Sequence, residues 1–323
     1  MGLKKTINWM KKHMLLLIVA DMLVALGFSY FWQTPILFLK KYALIASFLM
    51  VYPIMINTNF SEIFNLRGRY KLIISAIIFL FIIEPLLLYL ILKLITTDPL
   101  IAAGLMFIAI MPTSGMAVVW TKISKGAASL TIVILGLSLI LSMLTIPLEA
   151  HFIIGQYVHI PLWILIKSLL VVLLLPLILG WLTRLTIIKN KGEERFIELK
   201  SYISSISSLG LLSIIFIAFG LKGKVIVSKP ILMIHIAIPM IIFYAIGFFI
   251  LTLLGKLFKI SKSDIVGFNY SAMTKNRSMA TAIAILILDP LSVTAIALAG
   301  VIAQIPMMLV YSKFIQKSKF KKL

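Results

Sequence analysis

Two cations stand inside a long apolar stretch. The segment "SAMTKNRSMATAIAIL", Ser271 to Leu286, carries Lys275 and Arg277 with Asn276 between them and Ser278 after them. A cation at the centre of a hydrocarbon layer costs about 2.5–3.5 kcal/mol on insertion scales, so it calls for a partner, a polar cavity or a function. Lys275 lies about 12 residues into its apolar run, roughly 18 Å at 1.5 Å per residue, which is too deep for easy snorkelling. Cations at that depth suit an anionic ligand, and Asn276 adds a donor and an acceptor beside them. The carboxylate at nearly equal depth is Glu84 in "FIIEPLLLYL", about 13 residues into its own run. A Glu84–Lys275 contact is therefore expected from depth alone. Such a pair is neutral when the site is empty, and protonation of Glu84 would couple proton movement to substrate.

A second polar interruption is "MPTSGM", Met111 to Met116. Pro112 removes a backbone donor and Gly115 loosens the next turn. The freed N–H groups, with Thr113 and Ser114, are expected to face a ligand, and a half-helix N-terminus there favours an anion. A simple kink with the hydroxyls bonded back to the helix explains the same residues. Elsewhere little chemistry is on offer. The absence of cysteine excludes disulfides, thiolate metal sites and thiol nucleophiles. His13, His151, His159 and His235 are scattered, with no pair at helical metal-ligand spacing. No Walker or hydrolase motif is present, so no catalytic residue, cofactor or metal is expected. Ser201, Ser204, Ser205, Ser207 and Ser208 stud one span and read as close helix packing.

The elements that hold these residues follow from composition. Of 323 residues, 62% are hydrophobic and 13% charged, against about 45–50% and about 25% in soluble domains. Runs of roughly 20 nearly uncharged residues read as membrane helices. Ten are counted, at about 14–32, 35–58, 71–96, 99–124, 127–149, 159–188, 200–221, 229–258, 263–287 and 291–316. The first is taken as a helix and not as a cleaved signal, because no small-x-small site follows it. The longest polar link, Leu182 to Tyr202, separates the sixth and seventh spans.

The formal charge of +21 sits in the short links, which argues against nucleic acid as a partner. With the N-terminus in the cytoplasm, Lys and Arg favour that side about fourfold, and both termini are cytoplasmic. Ten spans divide into two halves of five, residues 1–149 and 150–323, and an odd number inverts the second half. The fourth and ninth spans are interrupted at similar depth and each joins its successor through a minimal link, "KISKG" and "LDPLS". Interrupted helices at matching places in inverted halves point to the binding site of a secondary transporter. The reading is an all-α, polytopic membrane protein.

The motifs also carry a resemblance. "MPTSGMAVVWTKISKGAASLTIV" (Met111–Val133), "VYPIMINTNFSEI" (Val51–Ile63) and "LAGVIAQIPMMLVYSKF" resemble the bile acid:sodium symporter superfamily, especially its arsenical-resistance (arsenite efflux) branch. The resemblance implies ten helices in inverted five-helix repeats, a panel and a core domain, and broken helices 4 and 9 that cross. It places Leu80, Ala117, Val118, Thr131, Leu135, Ser271 and Lys275 where the superfamily's symporters bind two sodium ions. Of these, Thr131 and Ser271 keep an oxygen side chain, and Lys275 replaces a usual sodium-ligating glutamine. Thr113 and Ser278 fall where the arsenite branch carries its Cys and Glu, and without cysteine no thiolate can capture As(III).

The expectation is a secondary active transporter of the plasma membrane that moves a small organic or inorganic anion by alternating access, coupled to protons or uncoupled. The expected binding residues are Thr113, Ser114, Gly115, Lys275, Asn276, Arg277 and Ser278, with Pro112 at the helix break and Glu84 and Lys275 as the coupling pair. The alternatives are an arsenite or oxyanion exporter and a sodium-coupled organic anion symporter.

Overall fold

The computed structural model describes residues 2–57, 69–95, 98–228 and 230–317. Residues 58–63 of the second motif lie outside this set, as do Arg67, Lys229, Lys319, Lys321 and Lys322 of the charged links.

Every regular element among the described residues is a helix. In chain order they are α1 (Gly2–Lys12), α2 (Met14–Phe31), α3 (Gln33–Leu39), α4 (Ala43–Asn57), α5 (Tyr70–Ile78), α6 (Glu84–Ile95), α7 (Pro99–Ala109), α8 (Met116–Ile123), α9 (Ala128–Phe152), α10 (Leu162–Leu169), α11 (Leu175–Ser228), α12 (Ile231–Leu257), α13 (Lys262–Met273), α14 (Arg277–Ile287), α15 (Pro290–Ala299) and α16 (Ile305–Lys317). Among the described residues, five continuous helical stretches are long and apolar enough to cross a membrane: Tyr70–Ile95, Ala128–Gln156, Leu162–Leu221, Ile231–Leu257 and Pro290–Lys317. Four shorter apolar helices accompany them, Leu16–Phe31, Ala43–Asn57, Pro99–Ala109 and Arg277–Ile287.

Three of these stretches contain a π-turn: Phe79–Ile83, Leu170–Leu174 and Gly300–Gln304. Each is followed by one residue and then a proline, Pro85, Pro176 and Pro306. Proline lacks an N–H, and its ring clashes with the carbonyl four residues back. Widening the preceding turn relieves that clash and moves the hydrogen bonds to i→i+5. Pro53, Pro147 and Pro239 lie inside α-helical stretches without such a turn, so proline permits the π-turn and packing selects it.

The chain forms two compact units. The first comprises Met1–Thr58, Pro161–Pro230 and Ser278–Ala297; the second comprises Asn59–Ile160, Ile231–Arg277 and Leu298–Leu323. In the first unit, α11 packs along α4 and continues through the polar link between two of the expected spans. The polar link between the sixth and seventh expected spans is itself helical, because "KNKGEERFIELK" is rich in helix-forming Lys, Glu and Arg. Gly192 interrupts it at φ +78°, a conformation that glycine adopts without steric cost.

The chain folds back in this region. Thr183 and Ser204 would stand about 31 Å apart on a straight helix, yet they hydrogen-bond Tyr52 and Asn57, about 7.5 Å apart along α4. Small residues allow the close approach. A Cβ on Gly180 would meet Met55 Cβ at 2.6 Å, and one on Gly210 would meet Met50 N at 2.5 Å. Ser207 donates to the Met50 carbonyl at 2.6 Å.

In the second unit, α9 and α13 approach closely at Gly267, where an added Cβ would meet the Ala127 carbonyl oxygen at 2.8 Å. Asp98 caps α7 through Leu100 N at 2.9 Å, and Ser261 caps α13 through Asp264 N at 3.1 Å. These caps fix where the two interrupted helices begin.

Candidate functional site

The two interruptions meet. α7 ends at Ala109 and α8 begins at Met116; α13 ends at Met273 and α14 begins at Arg277. Between them, Thr113 and Lys275 form an isolated antiparallel β-bridge. Ser114 N donates to the Thr274 carbonyl at 2.7 Å, and Asn276 N donates to the Pro112 carbonyl at 2.9 Å. Pro112 and Gly115 open one helix, and the extended backbone it leaves satisfies the other. Non-helical backbone at membrane depth is tolerated when protein meets its hydrogen bonds in this way.

This pairing corrects the expectation that the N–H groups of Thr113 and Ser114 are free for a ligand. Thr113 N donates to Ser138 Oγ at 3.1 Å, and Ser114 N is used in the bridge. The Thr113 hydroxyl donates to the Ser271 carbonyl at 2.6 Å, and Thr113 is 1% exposed. Thr113 therefore holds the break together. Ser114, Asn276, Arg277 and Ser278 are half-buried and Gly115 is exposed. All belong to the second unit except Ser278, the next residue of α14, which falls in the first.

The expected carboxylate contact is present. Lys275 Nζ lies 2.6 Å from Glu84 Oε2, and both side chains are wholly buried. Neither Glu84 oxygen receives an aligned hydrogen bond, so charge and proximity hold the pair. The ammonium makes a second contact, donating to the Leu80 carbonyl at 3.2 Å. That acceptor is available for a local reason. In the π-turn, Glu84 N bonds the Phe79 carbonyl. The Leu80 carbonyl would next need an N–H on residue 85, which is proline. Pro85 thus leaves a bare carbonyl one turn before Glu84, and Lys275 takes both.

The other π-turn of this unit supports the site from behind. It places Gln304, 3% exposed, so that its Oε1 accepts from the Tyr244 hydroxyl at 2.9 Å and its Nε2 donates to the Lys275 carbonyl at 3.4 Å. A Cβ on Gly300, at the start of that turn, would fall on the Arg277 guanidinium, so glycine makes the room in which Arg277 lies. Glu149 of α9 has both carboxyl oxygens shut off from solvent and without a hydrogen bond among the described residues.

Sequence reasoning missed Gln304, Tyr244, Gly300 and Glu149. A usable signal existed for Glu149, because the chain has ten acidic residues and each one inside a span warranted a partner. No group of three or more His, Cys, Asp or Glu residues among the described residues could hold a metal ion.

Comparison with known proteins adds the lineage. Residues 44–229, more than half of the chain, match the profile of the Sodium Bile acid symporter family. The chain belongs to the sodium bile acid symporter family. Among curated relatives, this family member is 27% identical to an uncharacterized transporter of Synechocystis sp. over 85% of its own length and 78% of the relative's. It is 27% identical to the arsenical-resistance protein Acr3 of Alkaliphilus metalliredigens, covering 84% and 80% of the two chains. It is 25% identical to Acr3 of Corynebacterium glutamicum, covering 81% and 75%. The sodium bile acid symporter family is a family of membrane transporters, and this chain is a multi-pass membrane protein of that type.

In this family member, Thr131 and Ser271, the two oxygen-bearing side chains expected at symporter sodium positions, are both engaged within the protein. The Thr131 hydroxyl pairs with Thr121 at 3.0 Å and contacts the Gly267 carbonyl at 3.3 Å, and Ser271 Oγ donates to the Phe268 carbonyl at 2.9 Å.

Proposed function

We propose that this protein is a secondary transporter that moves a small organic or inorganic anion across the plasma membrane, with Lys275 standing in for a bound cation. The observation that carries the reading is the buried Lys275–Glu84 pair beside the paired helix breaks. A fixed ammonium supplies the positive charge that a coupling ion would otherwise bring. Glu84 neutralises it when no substrate is bound, and an arriving anion competes with Glu84 for it. Ser114, Gly115, Asn276 and Arg277 form the polar face at the starts of α8 and α14, where helix N-termini favour negative charge. Thr113 and Pro112 hold that face in shape.

The ten spans form inverted repeats, residues 1–149 and 150–323, with broken helices 4 and 9 crossing at the bridge. Both termini are cytoplasmic, and alternating access of a core against a panel moves the site between the two faces. Coupling is to protons or absent, since Leu80, Ala117, Val118 and Leu135 offer no side-chain oxygen for sodium. The similarity to two arsenical-resistance proteins favours an oxyanion exporter as the second reading, by a chemistry that does not use cysteine.

Thermal unfolding of the purified protein against a panel of organic anions and oxyanions, in sodium and in choline, tests this. A ligand of the folded state raises Tm by mass action. The expected result is stabilisation by an anion to the same extent in both salts, and its loss in Lys275→Ala. Stabilisation that requires sodium would overturn the reading and return the protein to sodium symport.

A further inference from the structure

A groove runs between α12 and α16, both within the second unit. Ala245, Phe249, Leu253 and Lys256 line it on α12, and Val310 and Phe314 on α16. Spacings of three and four put these residues on one stripe of each helix. The two helices run in the same direction, since Tyr244 pairs with Gln304 and, two turns on, Thr252 pairs with Tyr311. Their C-terminal ends therefore lie at the same level.

The floor of the groove is closed. The Phe248 and Tyr311 rings stack with centroids 4.1 Å apart and planes 7° from parallel. The Thr252 hydroxyl donates to Asn269 Oδ1 at 3.2 Å and pairs with the Tyr311 hydroxyl at 3.3 Å. Both hydroxyls are engaged, so the floor calls for no polar ligand. The rim is apolar and open, with Phe249 68% and Phe314 60% exposed. Both rim residues belong to stretches of spanning length, where an exposed apolar side chain meets hydrocarbon. From Ala245 to Lys256 is about 16 Å at 1.5 Å per residue, close to half of the roughly 30 Å hydrocarbon layer. The groove is thus about one leaflet long. Its volume is about 350 Å³, large enough for a small apolar ligand.

Charge is confined to one end. Lys256 lines the groove there, Lys313 and Lys317 lie in the last turns of α16, and Lys259 follows α12. All four are exposed, and neither helix contains Asp or Glu. Asp264, the acidic residue that next follows α12 in the chain, is paired with Arg69 at 3.2 Å. The end of the groove is therefore cationic without local compensation from either of its walls.

We propose that this groove holds one acyl chain of an anionic phospholipid, with the lipid phosphate at Lys256. The chain fills the apolar channel over Phe248 and Tyr311. The headgroup meets Lys256, and Lys317, three positions past Phe314 on the same stripe, adds a second cation. A zwitterionic lipid offers the same chains but carries its own cation beside the phosphate, so the lysine end discriminates between them. The site lies apart from the Lys275–Glu84 pair and does not depend on what the protein transports, so the two readings fail separately.

Photolabelling of the full chain in phosphatidylcholine vesicles tests it. The vesicles carry a trace of phosphatidylglycerol or of phosphatidylcholine, each with a diazirine in the same acyl chain. Light expels nitrogen, the carbene inserts into the side chain beside it, and peptide mapping finds the adduct. The phosphatidylglycerol probe is expected to label segments 245–256 and 307–314 above the other spanning stretches. It is expected to do so roughly fivefold more than the phosphatidylcholine probe, as the attraction of one lysine near the surface implies. Lys256→Gln is expected to bring the two probes level, and Val310→Trp, which fills the groove from its rim, to remove the label from both segments. Equal labelling by the two probes in the wild-type protein, or label spread evenly over the spanning stretches, would overturn the proposal. So would an unlabelled groove in a chain that is dimeric in the vesicles, which would give this face to a second copy. The comparison of probes needs no variant, so a substituted chain that fails to fold does not remove the test.

Discussion

Thr113 and Lys275 are bridged backbone to backbone, 162 positions apart in the chain, and the bridge ties a helix broken by proline to a helix broken at a lysine. The same strand-like crossing that satisfies the backbone also aims the Lys275 side chain at Glu84 and the Leu80 carbonyl. Backbone satisfaction and charge placement are one arrangement, and perturbing either is expected to disturb the other.

The pair itself is the first target. Removing one member leaves a buried, uncompensated charge, which typically costs about 3–5 kcal/mol. Lys275→Met and Glu84→Leu are each expected to lower the unfolding temperature sharply. The double variant Glu84→Leu/Lys275→Met is expected to recover much of that loss while remaining inactive in counterflow across proteoliposomes. A double variant as unstable as the sum of the two singles would show that the pair does not act as a unit.

Pro85 is the second. Pro85→Ala restores an N–H at the position that leaves the Leu80 carbonyl bare. The π-turn at Phe79–Ile83 is then expected to relax toward α geometry, and Lys275 loses one acceptor. A hydrogen bond to a charged group contributes about 1.5–3 kcal/mol, so the variant is expected to unfold at a lower temperature, with a loss of unfolding free energy of up to about that size. The structure of the variant checks the cause directly: an unchanged π-turn would separate the proline from it.

Gly300 offers a test of Arg277 without altering its charge. An alanine Cβ would occupy the space of the guanidinium, so Gly300→Ala is expected to displace Arg277 and reduce anion binding. Gly27→Ala is the control. Its Cβ meets nothing within 4 Å, and alanine in a helix interior is favoured over glycine by up to about 1 kcal/mol. Thermal shift with and without anion reads both variants.

Gly192 tests the fold-back of α11. At φ +78° an L side chain is strained by about 1–2 kcal/mol. Gly192→Ala is expected to lower the unfolding temperature, and Gly192→Asn to lower it less, since asparagine tolerates that region. The residue is exposed and no heavy atom lies within 4 Å of an added Cβ, so a measured loss reports backbone strain and not crowding.

Much of this protein was legible in its sequence, because the membrane imposes rules that act along the chain. Apolar runs of spanning length, proline at Pro112 and charge at Lys275 located the helices and both breaks. Rise per residue alone placed Glu84 at the depth of Lys275, where the contact is found. The coordinate that sequence does not carry is lateral. Depth follows from counting residues, but which helices stand side by side depends on packing between segments distant in the chain.

Only the tertiary structure, therefore, assigned the Thr113 N–H to Ser138, set Gln304 behind Lys275 and cleared Arg277's space at Gly300. It also decided that the chain folds back through Gly192, since Thr183 and Ser204 find their partners about 7.5 Å apart along α4. Periodicity and hydropathy determine what must be buried and how deep. Neighbours are chosen by shape and by the need to satisfy each buried polar group, and those constraints exist only once the helices have come together.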